Sequence, residues 1–207
     1  MNKCRILLAV IAVGMTACAT VAYRQVLPGT TTLGAMQVTA GDGWNLASSA
    51  VTPIARPDSQ TWTKDGLLLD RVILIPAVRD GESIFKSRDK GAALPLFRAN
   101  MLPNELEELT GSTIVKLFGE GNAAVSTENL RPYKFGDNRG VMFDIRMAVT
   151  ESPDYRGTVG ASVVDQKLYM IIFFAATPYY YDKHKAAAEA LIQSAVIGVT
   201  AAQSTGG

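Results

Sequence analysis

The sequence predicts an α+β fold, an antiparallel sheet flanked by helices. Three observations carry this. Two short strand patterns stand early in the chain. A helical pattern follows near Pro103. The second half then reads as a run of strands closed by a last helix, the order expected when helices pack on the faces of one sheet.

The first element is not part of that fold. Lys3 and Arg5 precede an apolar run from Ile6 to Met15, after which come Thr16, Ala17 and Cys18. A basic start, a short apolar core and a small-residue exit describe a secretory leader. At about ten residues the run is half of what a bilayer-spanning helix needs. Ala17-Cys18-Ala19 fits ordinary leader cleavage after Ala19. Residues 18–33 then read as a tether, with Pro28-Gly29-Thr30-Thr31-Thr32 turn-forming and polar.

The globular domain is expected over residues 34–197. Ala35–Ala40 and Trp44–Val51 read as strands joined in a hairpin by Gly41-Asp42-Gly43. Gln60–Gly66 is a strand end and tight turn into Leu67–Ile75, where Asp70 and Arg71 mark a wet face. Arg79 to Ala93, with its Asp89-Lys90-Gly91, is a long surface loop. The segment from Leu94 to Met101 is apolar enough to cover the sheet. Pro103 opens a helix whose Glu105, Glu107 and Glu108 suit the positive end of the helix dipole. Leu102, Leu106 and Leu109 form its buried stripe, and Gly111 caps or kinks it. Whether Ser112–Phe118 continues the helix is left open.

Further strands are expected at Ala123–Leu130, Val141–Val149, Thr158–Val164 and Leu168–Thr177. Phe143, Ile145 and Met147 alternate with Asp144, Arg146 and Ala148, the half-buried pattern. Leu168–Ala176 is apolar throughout and predicts a central strand. Asp165-Gln166 is the turn before it. A helix over Asp182–Ile197 closes the domain, with Asp182 as N-cap and Ala186, Ala190, Leu191, Ser194 and Ala195 as its packing face. Residues 198–207 form a Gly-, Ala- and Ser-rich tail.

Composition narrows the function. The chain carries 20 basic and 19 acidic side chains, and losing Lys3 and Arg5 with the leader leaves 18 against 19. So near-neutral a body lacks the basic excess that recruits nucleic acid. Both cysteines, Cys4 and Cys18, lie in or at the leader, so the mature body offers no free thiol for a nucleophile, redox pair or metal site.

No catalytic constellation stands out, and no cofactor or metal is expected. His184, the only histidine, sits between Lys183 and Lys185 and reads as an exposed helix residue. Asp137-Asn138-Arg139-Gly140 and Gly41-Asp42-Gly43 lack the spacing of a calcium loop. Gly119-Glu120-Gly121 lacks the lysine and hydroxyl of a phosphate loop. Aromatic clusters are the best contact candidates: Tyr179, Tyr180 and Tyr181, which cannot all be buried on one face, and Trp62.

Two resemblances add to this reading. Met15-Thr16-Ala17-Cys18 resembles the lipobox of bacterial lipoproteins, with methionine in place of the more usual leucine. The resemblance implies diacylglycerol on Cys18, cleavage before it and acylation of the new amino terminus. Ala19, rather than aspartate, then implies the outer membrane under the enterobacterial sorting rule. The stretch Gly140-Val-Met-Phe-Asp144, then Lys167-Leu-Tyr-Met-Ile171, Ala175, Tyr181 and Ser194, is similar to the late strands and final helix of PsbP-like domains. That implies an α/β/α sandwich and a non-catalytic binding or assembly role. The expectation is a lipid-anchored envelope protein whose partners are the membrane and an envelope protein or polymer. The alternative is a hydrolase or transferase using scattered Asp, Glu, Ser and Tyr residues.

Overall fold

The computed structural model describes residues 22–87, 93–119 and 121–198. The expected leader at 1–17, Cys18, the Asp89-Lys90-Gly91 turn and the tail beyond Gly198 lie outside them. Along the described residues run strands β1 (Tyr23–Gln25), β2 (Gly29–Leu33), β3 (Met36–Ala40), β4 (Asn45–Ala47), β5 (Gln60–Thr63) and β6 (Asp70–Val78). Helix α1 (Pro103–Phe118) follows, then β7 (Ala123–Phe135), β8 (Asn138–Val149), β9 (Tyr155–Val164) and β10 (Lys167–Ala176). Helix α2 (Tyr179–Gln193) and β11 (Val196–Ile197) complete the fold.

Eight strands form one antiparallel sheet in the order β1-β4-β5-β6-β10-β9-β8-β7. A smaller sheet has the order β11-β3-β2. The fold class is α+β, as the sequence predicts. Alternating side chains divide the large sheet between two cores. On one face Ile73, Ile75, Phe143, Ile145, Val159, Ile172 and Phe174 meet α1 and the loop residues Ile84, Phe85 and Phe97. On the other, Val72, Leu74, Met142, Ile171 and Phe173 meet α2 and the small sheet, through Met36, Val38, Leu191 and Ile192.

The strongest sequence patterns held. Phe143, Ile145 and Met147 are buried while Arg146 and Ala148 are exposed. β10 lies between β6 and β9, and after Lys167 every residue is buried. Asp165 and Gln166 both take positive φ, 49° and 61°, making the tight left-handed turn of a two-residue hairpin.

Several expectations are corrected. The stretch read as tether carries β1 and β2, paired with β4 and β3 respectively. Its threonines suit a half-exposed strand as well as a linker. Gly41-Asp42-Gly43 does not close a hairpin, because β3 and β4 belong to different sheets. Asp70 is buried, its carboxylate enclosed by backbone N–H groups. Leu102 is 61% exposed while Leu106 and Leu109 are buried, because Leu102 precedes the helix. Its N–H donates to the Glu105 carboxylate, half of a capping box. Gly111 lies within α1, which continues through Phe118. Finally, α2 starts at Tyr179 and its buried stripe is Tyr181, His184, Ala188, Leu191 and Ile192. Ala186 and Ala190 face solvent.

Candidate functional site

The turn between β5 and β6 is organised by Asp70. Its Oδ2 accepts the Lys64 N–H at 2.8 Å and its Oδ1 the Asp65 N–H at 2.7 Å. The Thr63 hydroxyl donates toward the Asp70 carbonyl at 2.8 Å and accepts the Gly66 N–H at 2.8 Å. These bonds pin the Asp65 backbone and aim its side chain at α2. There Asp65 Oδ2 lies 2.7 Å from His184 Nε2 and 2.5 Å from Lys183 Nζ.

His184 is thus no surface residue: it is 5% exposed. The flanking lysines concealed this, because helix phase rather than neighbours decides which side chains turn inward. Tyr181, His184, Ala188, Leu191 and Ile192 recur at the three- and four-residue spacing of one face, a signal present in the sequence. The Asp65 carboxyl is held below the usual carboxylate range, first by the Lys183 hydrogen bond and then by that from His184, against a smaller desolvation effect. Lys183 is raised in turn by Asp65.

Asp65, Asp70 and His184 bring three ligand-type atoms within 4.8 Å of one another. Each already has partners in the protein: Asp70 accepts from two backbone amides and the Thr63 hydroxyl, and Asp65 Oδ2 faces an ammonium and an imidazole. Among the described residues no serine or threonine hydroxyl bonds to His184 or to the Asp65 side chain. The cluster works as a latch between a turn and a helix.

The aromatic candidates separate. Trp62 is 0% exposed, packed 6.5 Å from Trp44, with its indole N–H on Gln60 Oε1 at 2.9 Å. It is removed as a contact residue. β5 is covered on that face by the small sheet's layer, which its local sequence did not reveal. The tyrosines take three environments. Tyr179 is 64% exposed, Tyr180 is half-buried, and Tyr181 is buried, stacked on Phe173 at 6.0 Å. Tyr179 and Tyr180 meet edge to face at 5.1 Å, with Lys183 over both rings.

Beside Tyr181 the α2 face of the sheet is open. A cleft of about 490 Å³ lies there, lined by Ser126, Arg146, Asp154, Arg156, Tyr181 and Asp182 among others. A second of about 300 Å³ adjoins it, sharing Arg146, Arg156, Tyr181 and Asp182 and adding Asp144 and Lys185. Arg146 is tied to Glu128 at 2.7 Å. The Arg156 guanidinium lies 5.2 Å from the centre of the Tyr181 ring, and no carboxylate pairs with it among the described residues. It presents fixed donors to the cleft. Arg156 was missed because the expected strand begins at Thr158, whereas β9 begins at Tyr155 and so includes Arg156.

This architecture matches known structures at very low sequence identity. The solution structure of cyanobacterial PsbP (CyanoP) from Synechocystis sp. PCC 6803 superposes with a TM-score of 0.54 over 88% of this chain and 98% of that one, at 10% identity. The fold is PsbP-like. A Mog1 mutant gives a TM-score of 0.48 at 10% identity, covering 84% of this chain and 98% of that one. A Bacteroides thetaiotaomicron protein gives 0.45 at 9% identity, over 83% of this chain and 49% of its own. No protein-family model matches the sequence, and no curated protein does. The PsbP-like fold therefore stands on architecture. Among the described residues no helix is long and apolar enough to cross a membrane.

Proposed function

We propose that the chain is a lipid-anchored protein of the bacterial envelope, held through Cys18 at the outer membrane and facing the periplasm. In this reading its PsbP-like domain acts without catalysis, as a binding or assembly accessory for an envelope protein or polymer. The supporting observation is the pair of adjoining clefts beside α2. They combine an arginine with no carboxylate partner among the described residues, a stacked tyrosine and a rim of exposed polar groups. A concave, mixed-polarity surface of this kind suits recognition. The exposed ring of Tyr179 stands outside that lining, against Tyr180 and Lys183.

The Asp65–His184 pair favours the alternative, a hydrolase or transferase, in that an oriented histidine is a usual general base. Lys183 weighs against that role by occupying the same Asp65 oxygen.

Two measurements test the proposal. Metabolic labelling with palmitate and membrane fractionation should lose both signals on Cys18→Ser; a labelled variant refutes the anchor. In-cell crosslinking from the cleft rim should give specific adducts that Arg156→Ala reduces about tenfold, the scale of one charge-assisted contact. Turnover on a hydrolase substrate panel that is abolished by His184→Gln, without specific adducts, would establish the alternative.

A further inference from the structure

β7 ends the large sheet, so among the described residues one of its sides carries no strand. Its two halves are built differently. From Glu128 onward it has a register shift, Asn129 at φ 58°, Pro132 and the charges of Arg131 and Lys134. Such devices keep an exposed edge from pairing. From Ala123 to Thr127 the sequence Ala-Ala-Val-Ser-Thr has none of them. The opposite edge, β1, is only 3 residues long.

The ladder with β8 decides which backbone groups face outward. Thr150 N–H donates to the Asn122 carbonyl at 2.9 Å across the Ala123–Val149 pair. Ala123 is therefore a non-hydrogen-bonded partner of β8, and its own N–H and C=O point away from the sheet. By alternation Val125 and Thr127 do the same.

On the α1 side this half-strand floors a cleft of about 360 Å³ between itself and the helix flank. The flank runs Glu107, Glu108, Gly111, Ser112, Val115, Lys116: acidic at one end, small in the middle, basic at the other. The middle is tied to the strand, because a Cβ built on Gly111 would lie 3.7 Å from Val125 Cγ1.

We propose that this edge is a homodimer interface, with β7 strands of two copies paired antiparallel about a two-fold axis that passes between their Val125 residues. The axis pairs Val125 with its own counterpart and Ala123 with Thr127 of the second copy, so the outward N–H and C=O groups all find partners. The strand pairs are small or β-branched, with no like charges opposed. Because Gly111 sits over Val125, the same axis passes beside α1 at the level of Gly111. It sets Glu107 and Glu108 against the second copy's Lys116, and Gly111 and Ser112 leave room for helix axes at the usual spacing of about 8–10 Å. A foreign strand would use the same backbone groups but has no reason to match the acid-to-base order of the helix flank. A second copy matches it by symmetry.

Sedimentation velocity on the full chain carrying Cys18→Ser, so that no acyl chain gathers copies, should show a dimer at about 10–100 μM. Thr127→Pro deletes an outward N–H and leaves the β8 ladder intact. It should keep the far-ultraviolet dichroism and weaken dimerisation at least about 30-fold, since symmetry removes two donors at once. Lys116→Glu should weaken it as well. Mixing that variant with Glu107→Lys/Glu108→Lys should restore a heterodimer. A monomer across the concentration range overturns the proposal, as does a folded Thr127→Pro variant that still dimerises. Should Thr127→Pro fail to fold, the charge-reversal mixture decides, and no restored dimer overturns it.

Discussion

Asp65 shows how one side chain can join two distant parts of the chain. Its carboxylate connects the β5–β6 turn to α2 across a sequence separation of 119 residues. Because Lys183 and His184 favour the ionised form, the folded state binds the Asp65 proton less readily than the unfolded chain. The stabilisation is therefore complete above about pH 4, the unfolded value, and is lost as pH falls through the lower folded value. Asp65→Asn should lower the urea midpoint at neutral pH, and the gap to the unsubstituted chain should close as pH falls below about 4 into the acid range. An equal gap at both pH values would assign the loss to packing instead. The two aromatic candidates give a second comparison. Trp62→Ala should cost about 3–5 kcal/mol by chemical denaturation, and Tyr179→Ala no more than about 0.5 kcal/mol. Composition and local spacing cannot tell these residues apart, since burial depends on what the fold lays over them.

For the elements, legibility followed the strength of the repeating pattern. β8 and β10 were readable because alternation and an unbroken apolar run are burial written directly into sequence. β1 and β2 were not, because a three-residue exposed strand and a threonine-rich one resemble polar linkers. Of the packing face expected for α2, Leu191 and Ala195 are buried, whereas Ala186 and Ala190 belong to a weaker stripe that solvent takes. β9 holds a constraint that composition hides. A Cβ on Gly157 would fall 1.9 Å from the Phe173 carbonyl oxygen and 3.0 Å from Ile145 Cγ2. Neither backbone nor packed isoleucine can yield cheaply. Gly157→Ala should therefore destabilise by about 3 kcal/mol or more, read as a collapse of melting temperature or yield. An unchanged melt would show that β9 and β10 can separate at this point.

For the molecule as a whole, β6 and β10 matter most, since their alternate residues enter both cores. Ile172 and Phe174 belong to the α1 side, Ile171 and Phe173 to the α2 side. Loss of strand register on one side is therefore felt in both cores. Both tryptophans report on the α2 side only, while far-ultraviolet dichroism reports on every strand. The two unfolding curves should coincide in urea. A tryptophan transition that comes first would mean the small sheet and α2 leave as a separate unit.

The strand order also sets a distance. The described chain begins beside β1, at one end of the large sheet, and β7 is at the other. Seven steps between neighbouring strands of about 4.8 Å place those ends roughly 34 Å apart. In the lipid-anchored reading, the leash leaves from one side of a rigid bar and the pairing edge is carried on the far side. The sheet is then also a spacer, holding β7 clear of the tether so that a neighbouring copy can reach it unobstructed.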